Sequence, residues 1–393
     1  MLTKQKKSFK RKVLHPITRL IIGGAQENTM LTADYLDHNQ WQVEVLSGIQ
    51  TGSEGSIIDE VRKRNILLYL EPFLVREIHP LKDIIALFRL IRMMKKRGYH
   101  IVHTHSSKAG IIGRWAAWFA GVPVIVHTVH GWGHHDLQHP LVRNFYIILE
   151  KITLKITDQL IAVSGKNISK GINDGIGQFH DYSVIRSGIE LDRFGHPQID
   201  RQTMRNQLGI PSDAIIMGTV MRLSPQKAPL DFIEAATILA QKLEKVYFVL
   251  VGDGPLYDDV IKKAQANSIE RNLIMTGLRR DIPELMNCFD IFVLSSLWEG
   301  LPRVIPQAMA AGVPVIATAI DGSAEIITSE QNGLLVPPKS PESIANAVMR
   351  ILNNPQLQQN LIRKAYETIH EYSAEHMVAR IDHLYNKLIN KKM

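Results

Sequence analysis

Short apolar runs bounded by turn residues alternate along the chain with longer segments whose apolar residues recur at helical spacing. Such runs are typical of buried strands, and the longer segments are typical of amphipathic helices. Strand followed by helix, repeated many times, predicts parallel sheets covered by helices on both faces. The predicted strands are residues 13–22, 42–46, 66–70, 101–105, 122–129, 158–164, 183–185, 215–221, 246–251, 273–276, 291–294 and 314–318.

The alternation of strands and helices is interrupted once, at residues 186–197, where periodicity is lost and turn residues accumulate. A length of 393 residues is enough for two or three domains. We therefore predict a first α/β domain at residues 1–195 and a second at 196–370. Successive helices follow from about residue 341, and the last ends in a Lys-rich tail.

Residues 291–318 read as strand, loop, small-residue helix over 303–311, and strand, which is a βαβ unit. In such units ligands bind beyond the carboxyl ends of the strands. Glu299 lies in that loop, and a carboxylate accepts hydrogen bonds from sugar or ribose hydroxyls. Gln307 lies about two helical turns further on, on nearly the same face. The alternative is an exposed loop glutamate and a surface glutamine.

Two cations, Arg222 and Lys227, lie in the loop after the strand at 215–221. An arginine fork and a lysine point charge at this spacing can bracket a diphosphate and stabilise negative charge on a leaving group. Two solvated loop cations are the alternative. The turn at 252–255 lacks the Gly-Lys-Ser/Thr ending of a P-loop, and no Gly-x-Gly-x-x-Gly follows the first strand. The nucleotide triphosphatase and dinucleotide-binding classes are therefore disfavoured.

The net charge of +8 is unevenly distributed: residues 1–195 hold 26 Lys and Arg against 17 Asp and Glu, a net +9. This asymmetry suggests that the first half meets an anionic partner such as phospholipid headgroups, a lipid-linked phosphate or nucleic acid. A basic surface that serves solubility is the alternative. Residues 83–97 form an amphipathic helix with a basic last turn, which either complements the helix dipole or contacts a membrane surface.

The N-terminal residues 4–12 are basic, but the apolar residues after them are too interrupted for a signal peptide. No apolar run approaches the roughly 18 residues of a spanning helix. The single cysteine, Cys288, excludes an intrachain disulfide and fits a reducing compartment. These features predict a cytoplasmic protein, either free or peripheral at the inner face of a membrane.

Seven histidines fall between His103 and His139. A zinc site is one interpretation, but no His-Glu-x-x-His helix is present and the histidines follow different strands. We therefore predict no metal site. His130 follows a strand and precedes a glycine, which places it for polar contact with a ligand, whereas His103 is expected to pack within its strand.

Six motifs occur along the chain in this order: Gly23-Gly24-Ala25-Gln26, His130-Gly131, Arg222 with Lys227, Gly252-Asp253-Gly254-Pro255, Gly277-Leu278-Arg279 and Ser296 to Pro302. As an ordered set they resemble the motifs of the retaining glycosyltransferases of family 4. The resemblance covers nearly the whole chain. It implies a GT-B fold of two Rossmann-like doubly wound α/β domains facing across a cleft, with the last helix, in residues 371–393, crossing back to the first domain.

The same resemblance implies residue roles. Arg222 and Lys227 would hold the diphosphate of a UDP- or GDP-sugar, Glu299 would contact the sugar hydroxyls, and backbone near Leu278 would contact the base. The remaining implied contacts with the donor involve Gly24, His130, Gly300 and Leu301. The acceptor, a lipid-linked or polysaccharide hydroxyl, would bind the basic first domain. No cofactor, divalent metal or nucleic acid is implied.

One position departs from the family pattern, which has a second glutamate eight residues after the first. This chain has Gln307, which keeps a carbonyl acceptor but loses the charge. The difference predicts donor binding weaker by about 1–2 kcal/mol. It also motivates a different function, a non-catalytic partner subunit that binds sugar nucleotides. A third interpretation is a nucleotide-sugar epimerase on the same fold.

Overall fold

The computed structural model describes residues 10–50, 54–134 and 138–392, so most of the basic segment at 4–12 lies outside it. The chain divides into two compact units. Unit 1 comprises residues 1–188 and 374–393, and unit 2 comprises Ile189–Ser373.

Unit 1 contains a seven-stranded sheet in the order β3-β2-β1-β4-β5-β6-β7, with all neighbours parallel. The strands are β1 (Arg11–Ile17), β2 (Trp41–Gly48), β3 (Leu67–Glu71), β4 (Ile101–His105), β5 (Val124–Val129), β6 (Gln159–Ala162) and β7 (Tyr182–Val184). The helices between them are α1 (Gly24–Tyr35), α2 (Ile58–Lys63), α3 (Pro80–Arg97), α4 (Ser107–Ala120), α5 (Pro140–Leu154) and α6 (Gly165–Asn173), with a 3-10 turn at Phe179–Asp181.

Unit 2 repeats this arrangement with six parallel strands in the order β10-β9-β8-β11-β12-β13. Its strands are β8 (Ile215–Val220), β9 (Val246–Val251), β10 (Leu273–Gly277), β11 (Ile291–Leu294), β12 (Val315–Thr318) and β13 (Leu334–Val336). Its helices are α7 (Leu191–Gly195), α8 (Arg201–Gln207), α9 (Pro229–Ala240), α10 (Tyr257–Ala266), α11 (Ile282–Asn287), α12 (Val304–Ala310), α13 (Asp321–Ile326), α14 (Pro341–Leu352) and α15 (Pro355–Thr368), with 3-10 turns at Pro225–Lys227 and Ile369–Tyr372.

The last helix, α16 (Ala374–Lys392), belongs to unit 1, where it packs against α1 and β5. It buries one apolar stripe in the core of that unit: Ala374, Met377, Val378, Ile381, Leu384, Tyr385, Leu388 and Ile389. Polar contacts add to the packing, because the Trp41 indole N–H donates to Asp382 at 2.6 Å and Arg11 donates to Asn386 at 2.8 Å.

The strand order places the helices of unit 1 in two layers. The crossovers from β1 to β2 and from β2 to β3 run in one direction along the sheet, and those from β3 onward run in the other. Since parallel crossovers are right-handed, α1 and α2 lie on one face and α3 to α6 on the other. Within the second layer, α4 packs against both α3 and α5.

The division between the units differs from the predicted one by a few residues. The first boundary falls after Gly188, not after 195, because Ile189 donates its N–H to the Tyr372 carbonyl at 2.8 Å and Phe194 packs in the core of unit 2. The second falls after Ser373, not after 370, because Tyr372 is buried in that same core.

The first strand also differs from the prediction, which extended it to residue 22. β1 is regular and pairs with β2 up to Ile17. Pro16 is tolerated because pairing with β4 covers only Val13 and Leu14, so the proline lies beyond the part of β1 that is flanked on both sides. The chain leaves the sheet at Thr18, whose N–H donates to Ser106 Oγ at 3.1 Å.

Candidate active site

The sheet of unit 2 brings the predicted cationic and acidic loops together. All its strands are parallel, so their carboxyl ends share one edge, and the strand order reverses between β8 and β11. The loop after β8 carries Arg222 and Lys227, and the loop after β11 carries Glu299. The sequence-predicted residues therefore lie at the point of the sheet where doubly wound folds bind ligands.

Hydrogen bonds join these two loops. Leu297 donates its backbone N–H to the Gln226 carbonyl at 2.7 Å, and the Gln226 side-chain amide donates to the Trp298 carbonyl at 2.8 Å. Ser295 Oγ donates to the carbonyls of Lys227 and Ala228, at 2.9 and 3.0 Å. These hydrogen bonds hold the segment of Lys227 against the loop of Glu299.

Glu299 and Lys227 form an ion pair in which the Lys227 ammonium donates to Glu299 Oε1. The same oxygen accepts a hydrogen bond from Ser296 Oγ at 2.7 Å. The Glu299 side chain is only 7% exposed, so the pair is partly shielded from water and stronger than a surface pair. An ammonium has three N–H groups, which leaves Lys227 donors for an anion as well. The Arg222 side chain is exposed in the same loop.

The glycine turn after β9 supports the loop of Arg222. A Cβ on Gly252, whose φ is +138°, would lie 1.9 Å from the Met221 carbonyl oxygen, so only glycine allows this approach. The Leu223 N–H donates to the Asp253 carbonyl at 2.9 Å. Leu278, immediately after β10 on the same edge, has 43% of its surface exposed.

Gln307 lies in α12, the helix that follows the Glu299 loop, and is 9% exposed. This helix starts at Val304, one residue later than predicted, and ends at Ala310. Gly300 and Leu301, just before it, are half-buried. The Gly300 carbonyl oxygen lies 2.6 Å from where a Cβ of Gly322 would be, so the start of α13 packs directly on this loop.

In unit 1, Gly24 and His130 also lie at the carboxyl edge of a parallel sheet. Gly24 is the first residue of α1, after β1, and His130 follows β5 directly. β1 and β4 flank the position where the strand order of this sheet reverses.

His130 is the outer member of a hydrogen-bonded chain of imidazoles. His130 Nε2 lies 3.2 Å from His105 Nδ1, and His105 Nε2 lies 3.0 Å from His15 Nδ1. Burial lowers the pKa of His15 to about 3 and that of His105 well below its ordinary value. Both buried rings are therefore neutral at physiological pH, and each accepts or donates according to its tautomer.

The same strands bring His15, His103 and His105 close enough to be considered as metal ligands, with one nitrogen of each within 4.8 Å of the others. Both nitrogens of His103 already have partners at 2.6 Å, Tyr385 Oη and Thr128 Oγ1. A dication here would displace these hydrogen bonds of His103. Nε2 of the buried His15 has no hydrogen-bond partner among the described residues. The absence of a metal site stays a prediction.

Comparisons with known proteins cover both units. Residues 22–193 match the family described as Glycosyltransferase Family 4, and residues 200–368 match Glycosyl transferases group 1. The chain is 31% identical over 389 residues to the UDP-Gal:alpha-D-GlcNAc-diphosphoundecaprenol alpha-1,3-galactosyltransferase of Escherichia coli, with 98% of each chain covered.

The chain belongs to glycosyltransferase family 4. The N,N'-diacetylbacillosaminyl-diphospho-undecaprenol alpha-1,3-N-acetylgalactosaminyltransferase of Campylobacter jejuni is 25% identical to this glycosyltransferase, over 84% of this chain and 88% of the relative. Among solved structures, Anabaena HepE in complex with UDP and glucose superposes with a TM-score of 0.83 at 22% identity, over 96% of this chain and 100% of HepE.

The family assignment confirms the predicted GT-B fold class and glycosyl transfer as the activity. It does not favour the partner-subunit or epimerase interpretations, since the relatives are named as transferases. The roles of individual residues remain predictions. Ser296, the hydrogen-bond partner of Glu299, was not predicted, and neither were His15 and His105 behind His130. Side chains alternate along a strand, so His103 and His105 lie on one face of β4. This spacing in the sequence could have predicted that the two histidines lie together.

Proposed function

We propose that this glycosyltransferase moves a hexosyl group, with retention, from a UDP-sugar to a hydroxyl of a sugar carried on a polyprenyl diphosphate. The observation that carries the proposal is the ion pair of Lys227 with Glu299 at the strand-order reversal of unit 2, with Arg222 exposed in the same loop as Lys227. The printed names of two relatives support the acceptor class, because both contain a diphospho-undecaprenol. In its broader form the proposal also includes a hydroxyl of a polysaccharide as the acceptor.

Arg222 and Lys227 would bind the donor diphosphate. As the glycosidic bond breaks, negative charge accumulates on the departing phosphate, and two fixed cations stabilise that charge most in the transition state. Glu299, oriented by Lys227 and Ser296, would accept hydrogen bonds from the hydroxyls of the transferred sugar. In this proposal the cations take the place of a divalent metal.

Retention follows from a front-face path that needs no covalent nucleophile. The hydroxyl oxygen of the acceptor attacks the anomeric carbon from the side on which the phosphate leaves, as the bond between that carbon and the phosphate oxygen breaks. The departing phosphate oxygen accepts the proton of the hydroxyl. Leu278 would lie at the base, and the N–H groups of Gly300 and Leu301 would meet sugar or phosphate oxygens. Gly24 would allow close approach to the diphosphate, His130 would contact the sugar, and Gln307 would contact the ribose.

We place the reaction at an anionic membrane surface on the cytoplasmic side, because a polyprenyl-linked acceptor is confined to a membrane. The net +9 of residues 1–195 supports an anionic partner. Cys288 is buried and burial raises the pKa of its thiol to about 12, so it is an inert core residue compatible with a reducing compartment. No described helix is long and apolar enough to cross a membrane.

The test is a donor panel measured by calorimetry and by turnover. UDP- and GDP-sugars are compared for the wild type and Arg222→Ala, with polyprenyl-diphosphate-linked sugar from membrane lipid as acceptor. Arg350→Ala is the matched control, because Arg350 forms an exposed ion pair with Glu330 elsewhere in unit 2. We expect transfer from a UDP-sugar that Arg222→Ala abolishes and Arg350→Ala preserves. Donor binding without transfer to any acceptor would contradict the proposal.

A further inference from the structure

The outer surface of the layer formed by α3, α4 and α5 in unit 1 is unusually apolar. Of the twenty large apolar side chains that are exposed in the described residues, twelve lie between residues 78 and 152, whereas unit 2 has three. The twelve are Ile78, Leu81, Ile84, Ile85, Phe88, Trp118, Phe119, Leu141, Val142, Phe145, Ile148 and Ile152. Such a concentration marks an interaction surface, since scattered apolar residues would not group in this way.

In α3 and in α5 these residues form one stripe along the outer side of the helix. Leu81, Ile84, Ile85 and Phe88 recur at spacings of three and four residues in α3, and Leu141, Phe145, Ile148 and Ile152 do so in α5. The opposite side of each helix is buried against the unit: Ala86, Leu90 and Met94 in α3, and Ile147, Glu150 and Thr153 in α5. α3 is therefore apolar on its inner side and again on the first half of its outer side, whereas α5 is apolar along its whole outer side and buries two polar residues beside Ile147.

Within the three helices the exposed charges all have the same sign, although Glu77, just before α3, is also exposed and Arg89 pairs with Glu71 at 2.8 Å. Every exposed ionisable side chain in α3, α4 and α5 is basic: Lys82, Arg89, Arg92, Lys95, Lys96 and Lys151. The two carboxylates of the layer face inward in ion pairs, Asp83 with Lys108 at 2.6 Å and Glu150 with Arg114 at 2.7 Å. Apolar stripes that continue into a basic surface are the composition of helices that lie in a membrane interface.

We propose that this three-helix face, defined by the outer surfaces of α3, α4 and α5, docks on an anionic lipid bilayer. The apolar stripes would enter the boundary between headgroups and acyl chains, while the lysines and arginines meet the phosphates. This inference rests on the proposed function, because it supplies the surface that holds a polyprenyl-linked acceptor.

The position of the stripes fits that task. The α3 stripe occupies the N-terminal half of its helix, and the α5 stripe begins at the N-terminal end of its helix and runs along its whole length. Because both helices follow parallel strands, both stripes begin at the carboxyl edge of the sheet, whereas Trp118 and Phe119 lie near the C-terminal end of α4. Gly24 and His130 lie at the same edge of unit 1. A bilayer on this face would therefore present membrane-anchored diphosphates near the candidate site residues of this unit.

A second copy of the chain is a less suitable occupant. A two-fold contact through this face would bring the same basic surface of both copies together, with no exposed acidic partner in the three helices. Anionic headgroups offer the opposite charge and match the mixture of apolar and basic side chains.

The experiment is flotation of the full chain with vesicles of phosphatidylethanolamine and phosphatidylglycerol, compared with phosphatidylcholine vesicles. Variants Phe88→Ser and Phe145→Ser remove one aromatic anchor from each stripe. Phe179→Ser is the matched control, because Phe179 is 74% exposed in unit 1 but lies outside the face. We expect each face variant to bind about ten-fold more weakly, from the loss of one buried aromatic side chain, and the control to bind like the wild type.

Companion measurements separate this inference from the proposed function. Transfer to a short-chain, water-soluble analogue of the acceptor should survive Phe88→Ser and Phe145→Ser, and the unfolding midpoint of each variant should match that of the control. Wild-type transfer without vesicle binding would overturn the docking face and leave the proposed function intact. Vesicle binding without transfer to either acceptor would contradict the proposed function and leave the docking face intact. A dimer that the face variants convert to a monomer, with no vesicle binding, would assign the face to a second copy.

Discussion

The ion pair between Lys227 and Glu299 is the most specific feature at the level of single residues. It holds a cation and an acceptor in one partly shielded position, so each side chain orients the other before the donor arrives. This suits an enzyme that must bind a diphosphate and a sugar next to each other.

Lys227→Ala should lower kcat/KM for the nucleotide-sugar donor by about a hundred-fold, the typical effect of losing one group that stabilises transition-state charge. Steady-state transfer assays measure it. Lys245→Ala is the control, because Lys245 pairs with Asp213 on an exposed surface of unit 2. If both variants retained wild-type kcat/KM, the assignment of Lys227 to the diphosphate would be wrong.

Gln307 provides a second test, in which a gain is expected. Gln307→Glu restores a carboxylate near the start of a helix, at a position only 9% exposed, where hydrogen bonds to a charged acceptor are stronger. We expect the Kd for the donor to fall about ten-fold, as a difference of about 1–2 kcal/mol requires. Calorimetry measures it, with Gln359→Glu on the exposed surface of α15 as control. An unchanged Kd would exclude ribose contact by Gln307.

The buried histidines of unit 1 make its stability depend on pH. Burial lowers the pKa of His15 from 6.5 to about 3 and holds those of His103, His105 and His127 well below the ordinary value. Between these values the unfolded chain binds more protons than the folded chain, so the free energy of unfolding falls as the pH falls below about 6.5.

His15 alone should remove about 2 kcal/mol from the free energy of unfolding between pH 7 and pH 5. Urea titrations followed by tryptophan fluorescence would measure this, since four of the five tryptophans lie in unit 1. His15→Gln should flatten the pH dependence, and His38→Gln, at an exposed site, should not. Equal slopes for the two variants would show that folding does not lower the pKa of His15.

At the level of elements, local periodicity located most strands because buried parallel strands are short apolar runs, as in β9 and β11. α5 was not predicted. Its apolar stripe lies on the exposed side, whereas the apolar side of a surface helix is expected to face the core. The apolar stripe of α16 was visible in the sequence, but a stripe does not show which surface the helix packs against. Its place in unit 1 was implied only by the resemblance to the family.

α16 is expected to be essential to unit 1. A chain that ends at Ser373 would lose eight buried side chains, seven of them large, worth on the order of 10 kcal/mol, which is comparable to the whole stability of a domain. We expect this truncation to unfold unit 1, as seen in tryptophan fluorescence. Removing only residues 390–393 should have little effect, because it breaks one exposed ion pair, Lys392 with Asp158. If unit 1 still unfolded cooperatively in the chain that ends at Ser373, the expectation would be wrong.

At the level of the whole molecule, the candidate site was predictable where it depended on a general rule. Parallel strands share a carboxyl edge, so Arg222 and Glu299 could be placed near each other from the sequence. The direct contact of Lys227 with Glu299 required knowing that β8 and β11 are neighbours, and the imidazole chain required β1 beside β4. Strand order is set by tertiary packing between distant segments, which local patterns do not encode.

The division of the candidate donor contacts between two units leads to a last prediction. The residues assigned to base, diphosphate and ribose, namely Leu278, Arg222, Lys227 and Gln307, all belong to unit 2, whereas His130, assigned to the sugar, belongs to unit 1. UDP alone should therefore protect the loops after β8, β10 and β11 from hydrogen exchange, by about 2.7 kcal/mol at a hundred-fold excess over Kd. A UDP-sugar should add protection around His130, while GDP at the same concentration serves as the base control. UDP lacks the sugar, so equal protection around His130 by UDP and by the UDP-sugar would contradict the assignment of His130 to the sugar. If UDP protected no loop of unit 2, the donor site itself would be wrong.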